Sequence, residues 1–106
     1  MSPTVQDVLS ELRAGLSRIY GSRLERLLLF GSQARGDSQP SSDVDVLVVL
    51  SGPVRPGEEI ERTGELGARL TLAYNLAVSL SFVSAERFQS EQSPFLMNVR
   101  RECVPV

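Results

Sequence analysis

The 106-residue chain contains no histidine, no tryptophan and a single cysteine, and its 11 basic residues are all arginine. Each absence removes a mechanism. Without histidine there is no Ser-His-Asp or Cys-His nucleophile pair and no imidazole zinc site, and without lysine there is no Schiff base and no P-loop lysine. One thiol, Cys103, cannot form an internal disulfide and reads as a packed small apolar side chain. The longest apolar runs, Leu27 to Phe30 and Val46 to Leu50, are far short of the roughly 20 residues that span a bilayer. The N-terminal stretch carries Asp7, Glu11, Arg13 and Arg18 where a signal peptide needs an unbroken apolar segment, so the expectation is a cytoplasmic, soluble protein with no membrane span. A net charge of -2 gives no strong nucleic-acid signal, because general nucleic-acid-coating domains carry a basic stripe.

What remains is carboxylate chemistry on a scaffold of ordinary composition, 42% hydrophobic and 23% charged. The length fits one domain spanning residues 1–106, able to bury somewhat more than about 60% of its unfolded surface. Only four residues are Asp (7, 37, 43 and 45), and three of them fall in one short stretch.

Hydrophobic spacing lays out the elements. Val5, Val8, Leu9, Leu12, Leu16 and Ile19 form the stripe of an amphipathic helix, opened by a Thr4/Asp7 capping box and closed at Gly21. Leu24 to Phe30 reads as a strand buried on both faces and stopped by Gly31. A helical turn follows over Gln33 to Arg35, then a Ser-, Gly- and Asp-rich loop, then a Val-rich strand from Asp43 to Leu50. A second long helix is expected from about Glu58 to Tyr74, with Glu58/Arg62 and Glu65/Arg69 as ion pairs on its wet side. Its inner face would hold Ile60, Gly64, Gly67, Leu70 and Tyr74, the glycines implying close packing on a sheet. Leu76 to Val83 alternates as a third strand, with Leu76, Val78, Leu80 and Phe82 on one side and Ser79 and Ser81 on the other. Ser84 opens a short capped turn, Ser93-Pro94 opens a last helix through about Arg101, and the tail is extended. Arg100 and Arg101 would complement that helix's dipole.

Chemistry concentrates between Leu28 and Val49. A strand ends at Gly31, where the missing side chain lets a phosphate approach the backbone, and Ser32 opens a helical turn whose N–H groups attract anions. Ten residues after Ser32 come Asp43 and Asp45, whose i,i+2 spacing on a strand projects both carboxylates to one face with Cα atoms roughly 7 Å apart. Such a pair can hold one divalent cation, and Mg²⁺ prefers a few carboxylates together with waters and phosphate oxygens. Read singly, the Asp pair could be a solvated strand edge and Gly31-Ser32 an ordinary turn; together they favour a nucleotide site. Arg35 and Asp37 could equally form a surface salt pair.

Gly31-Ser32, ten intervening residues and Asp43-Val44-Asp45, with Ala34-Arg35-Gly36 in the gap, resemble the signature of MNT-type minimal nucleotidyltransferases of the DNA polymerase beta superfamily. The resemblance implies an α+β nucleotidyltransferase fold, a small mixed sheet flanked by helices. It implies transfer of a nucleoside monophosphate, AMP from ATP being the leading case, from an NTP to an acceptor. On that basis Gly31 and Ser32 would contact the β- and γ-phosphates, Asp43 and Asp45 would be the catalytic Mg²⁺ ligands, and Arg35 would touch phosphate or brace the loop. Members of this size are often antitoxins paired with a HEPN-domain toxin, some of which are modified on tyrosine, so the expected acceptor and partner is a HEPN protein; a homo-oligomer stays open. Active members of the superfamily usually carry a third carboxylate on a later strand. Here that strand offers Ser79 and Ser81, and Glu86 falls past its end. The alternative reading is therefore a catalytically weak NTP-binding module that neutralises or recruits its partner by complex formation.

Overall fold

A computed structural model describes residues 2–36 and 43–106. Helix α1 (Pro3–Tyr20) is followed by a 3-10 turn (Gly21–Arg23) and strand β1 (Leu24–Phe30); the four-residue helix α2 (Ser32–Arg35) leads towards strand β2 (Val44–Leu50). The long helix α3 (Pro56–Tyr74) connects to strand β3 (Val78–Ser84), and helices α4 (Ala85–Ser90) and α5 (Pro94–Glu102) lead to the two-residue strand β4 (Val104–Pro105). The sheet runs β3-β2-β1-β4, with β2 and β3 parallel and the other pairs antiparallel. The mixed sheet flanked by helices is thus present, and the extended tail is its edge strand. No helix among the described residues is long and apolar enough to cross a membrane.

Alternation along the strands divides the core. Leu27, Leu29, Val44, Val46, Val48 and Leu50 pack against α1 and α3, together with Val78, Leu80 and Phe82. Leu28, Leu47, Val49 and Val83 face the other way, under Phe88 of α4 and Leu96 and Val99 of α5. Six of the seven residues of β2 are buried, the exception being Asp45. In β1 only Leu27, Leu28 and Leu29 are, since Glu25 and Arg26 are exposed at its start.

Several local expectations shift. Helix α1 is capped by Ser2, whose side chain accepts the Val5 N–H at 3.2 Å, and not by Thr4; Pro3, lacking an N–H and pre-set in φ, takes the first helical position. Ile19 is 37% exposed, and Tyr20 takes its place in the core. Arg100 and Arg101 lie in the last turn of α5 as expected, and Arg100 in addition donates to the carbonyl of Phe88 at 2.9 and 2.6 Å, tying α5 to the end of α4.

The largest correction concerns α3. Its buried residues are Glu59, Thr63, Leu66 and Leu70, a face rotated by about one residue from the expected one. Ile60 is 59% exposed, and a Cβ at Gly64 or Gly67 would meet nothing, so these glycines border a shallow groove beside β3 and make no close contact with the sheet. Arg62 and Arg69 bond to Glu59 and Glu11, not to Glu58 and Glu65. The cause is a buried polar network: Tyr20 donates its hydroxyl to Glu59 at 2.9 Å, and the Arg55 N–H and the Arg62 guanidinium also donate to that carboxylate. Burial pushes the Glu59 carboxyl up, but the Tyr20 hydrogen bond, the Arg55 N–H and the charges of Arg62 and Arg23 outweigh it, leaving its pKa below the usual range. Burial and the bond to Glu59 raise the Tyr20 hydroxyl's pKa well above its ordinary value.

Because the folded-state pKa of Glu59 is lowered, its charged form adds stability at neutral pH that is lost as pH falls through the folded pKa. Glu59→Ala, which leaves Tyr20 and Arg62 without their acceptor, is expected to cost roughly 2–4 kcal/mol at pH 7. The gap between wild type and Glu59→Gln should narrow below about pH 4, as followed by urea unfolding at several pH values.

Candidate active site

The antiparallel pairing of β1 with β2 brings the sequence motifs together. Leu28 pairs with Leu47, Leu29 with Val46 and Phe30 with Asp45, so the residue before Gly31 stands opposite the second aspartate. Directly opposed residues share a face, which puts Asp45 on the side of Phe30, Leu28 and Leu47, away from α1 and α3. Asp43 sits one residue ahead of β2 and is exposed. Burial, and then the negative charge of Asp43, push the Asp45 carboxyl above its ordinary pKa. Asp45 therefore feels the charge of Asp43, in keeping with their i,i+2 spacing.

Gly31 is the tightest point. It adopts φ 77° and ψ −159°, a region open essentially only to glycine, and a Cβ placed there would lie 2.6 Å from Oδ2 of Asp45. Ser32 then opens α2, as expected, and the N–H groups of Ala34 and Arg35 both donate to the Gly31 carbonyl. Gln33 is buried and Arg35 exposed, with Gly36 closing the turn in the left-handed region. Gly31, Ser32, Asp43 and Asp45 thus converge at one corner of the sheet, where β1 ends and β2 begins. Arg35 lies on the outer side of the turn and pairs with Glu102 at 3.3 Å; Asp37, its other suggested partner, lies outside the described residues.

Strand β3 adds serines beside the acids. In the parallel register Asp45 stands beside Ser79 and Leu47 beside Ser81. Glu86 belongs to α4, beyond Ser84, which pairs with Leu50 at the far end of the sheet, about 17 Å along the strand from Ser79. Among the described residues no three His, Cys, Asp or Glu side chains group so as to hold a metal ion.

Sequence reasoning missed Glu102. Its Oε1 accepts the Gly31 N–H at 3.3 Å, and both of its oxygens lie 3.3 Å from Nη1 of Arg35. No spacing rule links residues 71 positions apart, and the only local hint is an acid in the last turn of a helix, where the dipole disfavours it.

The glycine turn that ends β1 thus stands beside an Asp-x-Asp pair at the start of β2, and comparison with known proteins gives the family. Residues 9–103 match the model of the nucleotidyltransferase domain family, to which the chain belongs. It is 33% identical over 73 residues, covering 69% of this chain and 73% of the relative, to "Putative protein adenylyltransferase MJ0141" of Methanocaldococcus jannaschii. In fold it resembles a toxin-antitoxin structure solved with AMP-PNP (TM-score 0.63, 21% identity, 91% of this chain and 69% of that one). A structure described as a "putative minimal nucleotidyltransferase" is also similar (TM-score 0.57, 22% identity, 96% and 95% covered).

Gly31→Ala tests the geometry of the corner. The strain of a side chain in this backbone region predicts a loss of about 1–3 kcal/mol in thermal or urea unfolding. The clash with Asp45 predicts displaced amide NMR signals at Phe30 and Asp45 as well.

Proposed function

We propose that the chain is a single minimal nucleotidyltransferase domain that transfers AMP from ATP to a protein acceptor and serves as the antitoxin of a HEPN-type toxin in the cytoplasm. The observation that carries the reading is the contact of the Gly31 turn with Asp45, enforced by the Phe30–Asp45 pairing. Membership of the nucleotidyltransferase family supports the reaction class. The name of the M. jannaschii relative supports adenylylation of protein, and the similarity to a toxin-antitoxin complex solved with AMP-PNP supports a partner protein and a bound nucleotide.

In this reading the Gly31-Ser32 turn holds the β- and γ-phosphates. The donor set fits a hard divalent cation: Asp43 and Asp45 offer only carboxylate oxygen, and Asp45, whose carboxyl is held above its ordinary pKa first by burial and then by the charge of Asp43, would be eased by a positive charge between them. Both would hold Mg²⁺, which supplies charge neutralisation for the triphosphate. The acceptor hydroxyl oxygen attacks the α-phosphorus and releases its proton to solvent, the α–β phosphoanhydride bond breaks, and pyrophosphate leaves with that bond's electron pair. The chain's own share is alignment: the glycine lets the phosphates approach the backbone, and the two aspartates fix the position of the attacked phosphorus. Arg35 adds positive charge on the outer side of the turn.

Ser79 beside Asp45 favours a second reading. A serine can hydrogen-bond a water but brings no negative charge, so a chain lacking an acid on β3 would activate the acceptor weakly and could neutralise its partner by binding alone. Incubation with ATP, Mg²⁺ and the product of the neighbouring gene separates the two. The first reading expects whole AMP units on the partner by mass spectrometry, reduced roughly 100-fold or more in Asp43→Asn, since several kcal/mol of charge stabilisation are worth two or more powers of ten in rate. Partner neutralisation that survives Asp43→Asn without any adduct selects the second.

A further inference from the structure

Glu102 is the only acid of α5 and follows Arg100 and Arg101 at a helix end where a negative charge opposes the dipole. Its location is fixed from two sides. Leu96 and Val99 anchor α5 under the sheet, and two residues after Glu102 the chain enters β4, where Val104 pairs with Leu29 and Pro105 with Leu28. The carboxylate, only 24% exposed, is thereby held at the end of β1. There it accepts the Gly31 N–H and faces Arg35 with both oxygens, all at 3.3 Å. It does not join Asp43 and Asp45 in a three-acid group.

We propose that Glu102 is a positioning residue of the phosphate-binding turn: it fixes the Phe30–Gly31 peptide and the Arg35 guanidinium in the orientation that receives the β- and γ-phosphates of the nucleotide. The proposal rests on the nucleotide reading given above. The peptide preceding a glycine in a glycine-only conformation is the natural hinge of the turn, because Gly31 has no side chain to restrict it. Its N–H is bonded to a side chain from far along the sequence, so tertiary structure adds to the hydrogen bonds by which the four-residue helix holds the turn from within. A carboxylate at this point also sets the direction of Arg35, whose planar fork adopts a defined geometry only against an acceptor.

The test is nucleotide affinity in the full chain, with MgATP and AMP as probes, because AMP lacks the two phosphates assigned to the turn. Glu102→Ala is expected to raise the Kd for MgATP about tenfold while leaving that for AMP within about twofold. Glu102→Gln, which keeps an acceptor oxygen for the Gly31 N–H and for Arg35, should stay within about threefold of wild type for both. Unchanged or tighter MgATP binding by Glu102→Ala overturns the proposal, the tighter result meaning that the carboxylate only competes with phosphate. So does equal weakening for MgATP and AMP, which marks a general structural loss, or a Gln variant as weak as the Ala variant. Wild-type protein that binds no MgATP overturns the nucleotide reading itself, and the role of Glu102 with it; that failure is recognised in the wild type before any variant is compared.

Discussion

The antiparallel pairing of β1 with β2 is the constraint on which the molecule depends. It places β2 between β1 and β3, where helices cover both of its faces, and it sets a register in which a glycine turn and an aspartate pair separated by ten residues end at the same corner. A shift of one residue would turn Asp45 inward among the leucines and valines beneath α1 and α3, where an unpaired carboxylate has no compensation. The hydrophobic pattern that secures the core therefore also secures the placement of the acids.

The remaining elements act on that corner indirectly. Helices α1 and α3 cover one face, and their mutual position is set by apolar packing together with the Tyr20–Glu59–Arg62 network. Helix α5 covers the other face and delivers Glu102 to the Gly31 turn, while β4 fastens the segment after it to β1. The Gly31 turn is thus held both by its own hydrogen bonds and by a residue near the far end of the described chain.

The elements whose signals are local could be read directly. Ser84 and Ser93 cap α4 and α5 as expected, the alternation of β3 places Ser79 and Ser81 beside the acids' strand, and the Gly31-Ser32 and Asp43-Asp45 motifs meet as their spacing implies. Tertiary interactions account for the rest. The inward face of α3 contains Glu59 and Thr63, so hydrophobic counting chose Ile60 and two glycines instead; the deciding partner, Tyr20, is 39 residues away. The contact of Glu102 with Gly31 spans 71 residues and has no periodicity to betray it. Apolar rhythm identifies what is buried by default, but it cannot identify a polar group made burial-worthy by distant partners.

The raised pKa of Asp45 has a further meaning for the balance between stability and activity. A carboxyl that ionises less readily in the folded state than in the unfolded chain subtracts from stability as pH rises through its titration. Near neutrality the fold is therefore less stable than it would be with a neutral side chain at that position. Since β2 is packed on both sides, the backbone has little freedom to move the charge away from Asp43. At this corner burial and charge oppose one another, and a sequence selected for stability alone would discard the acid at position 45.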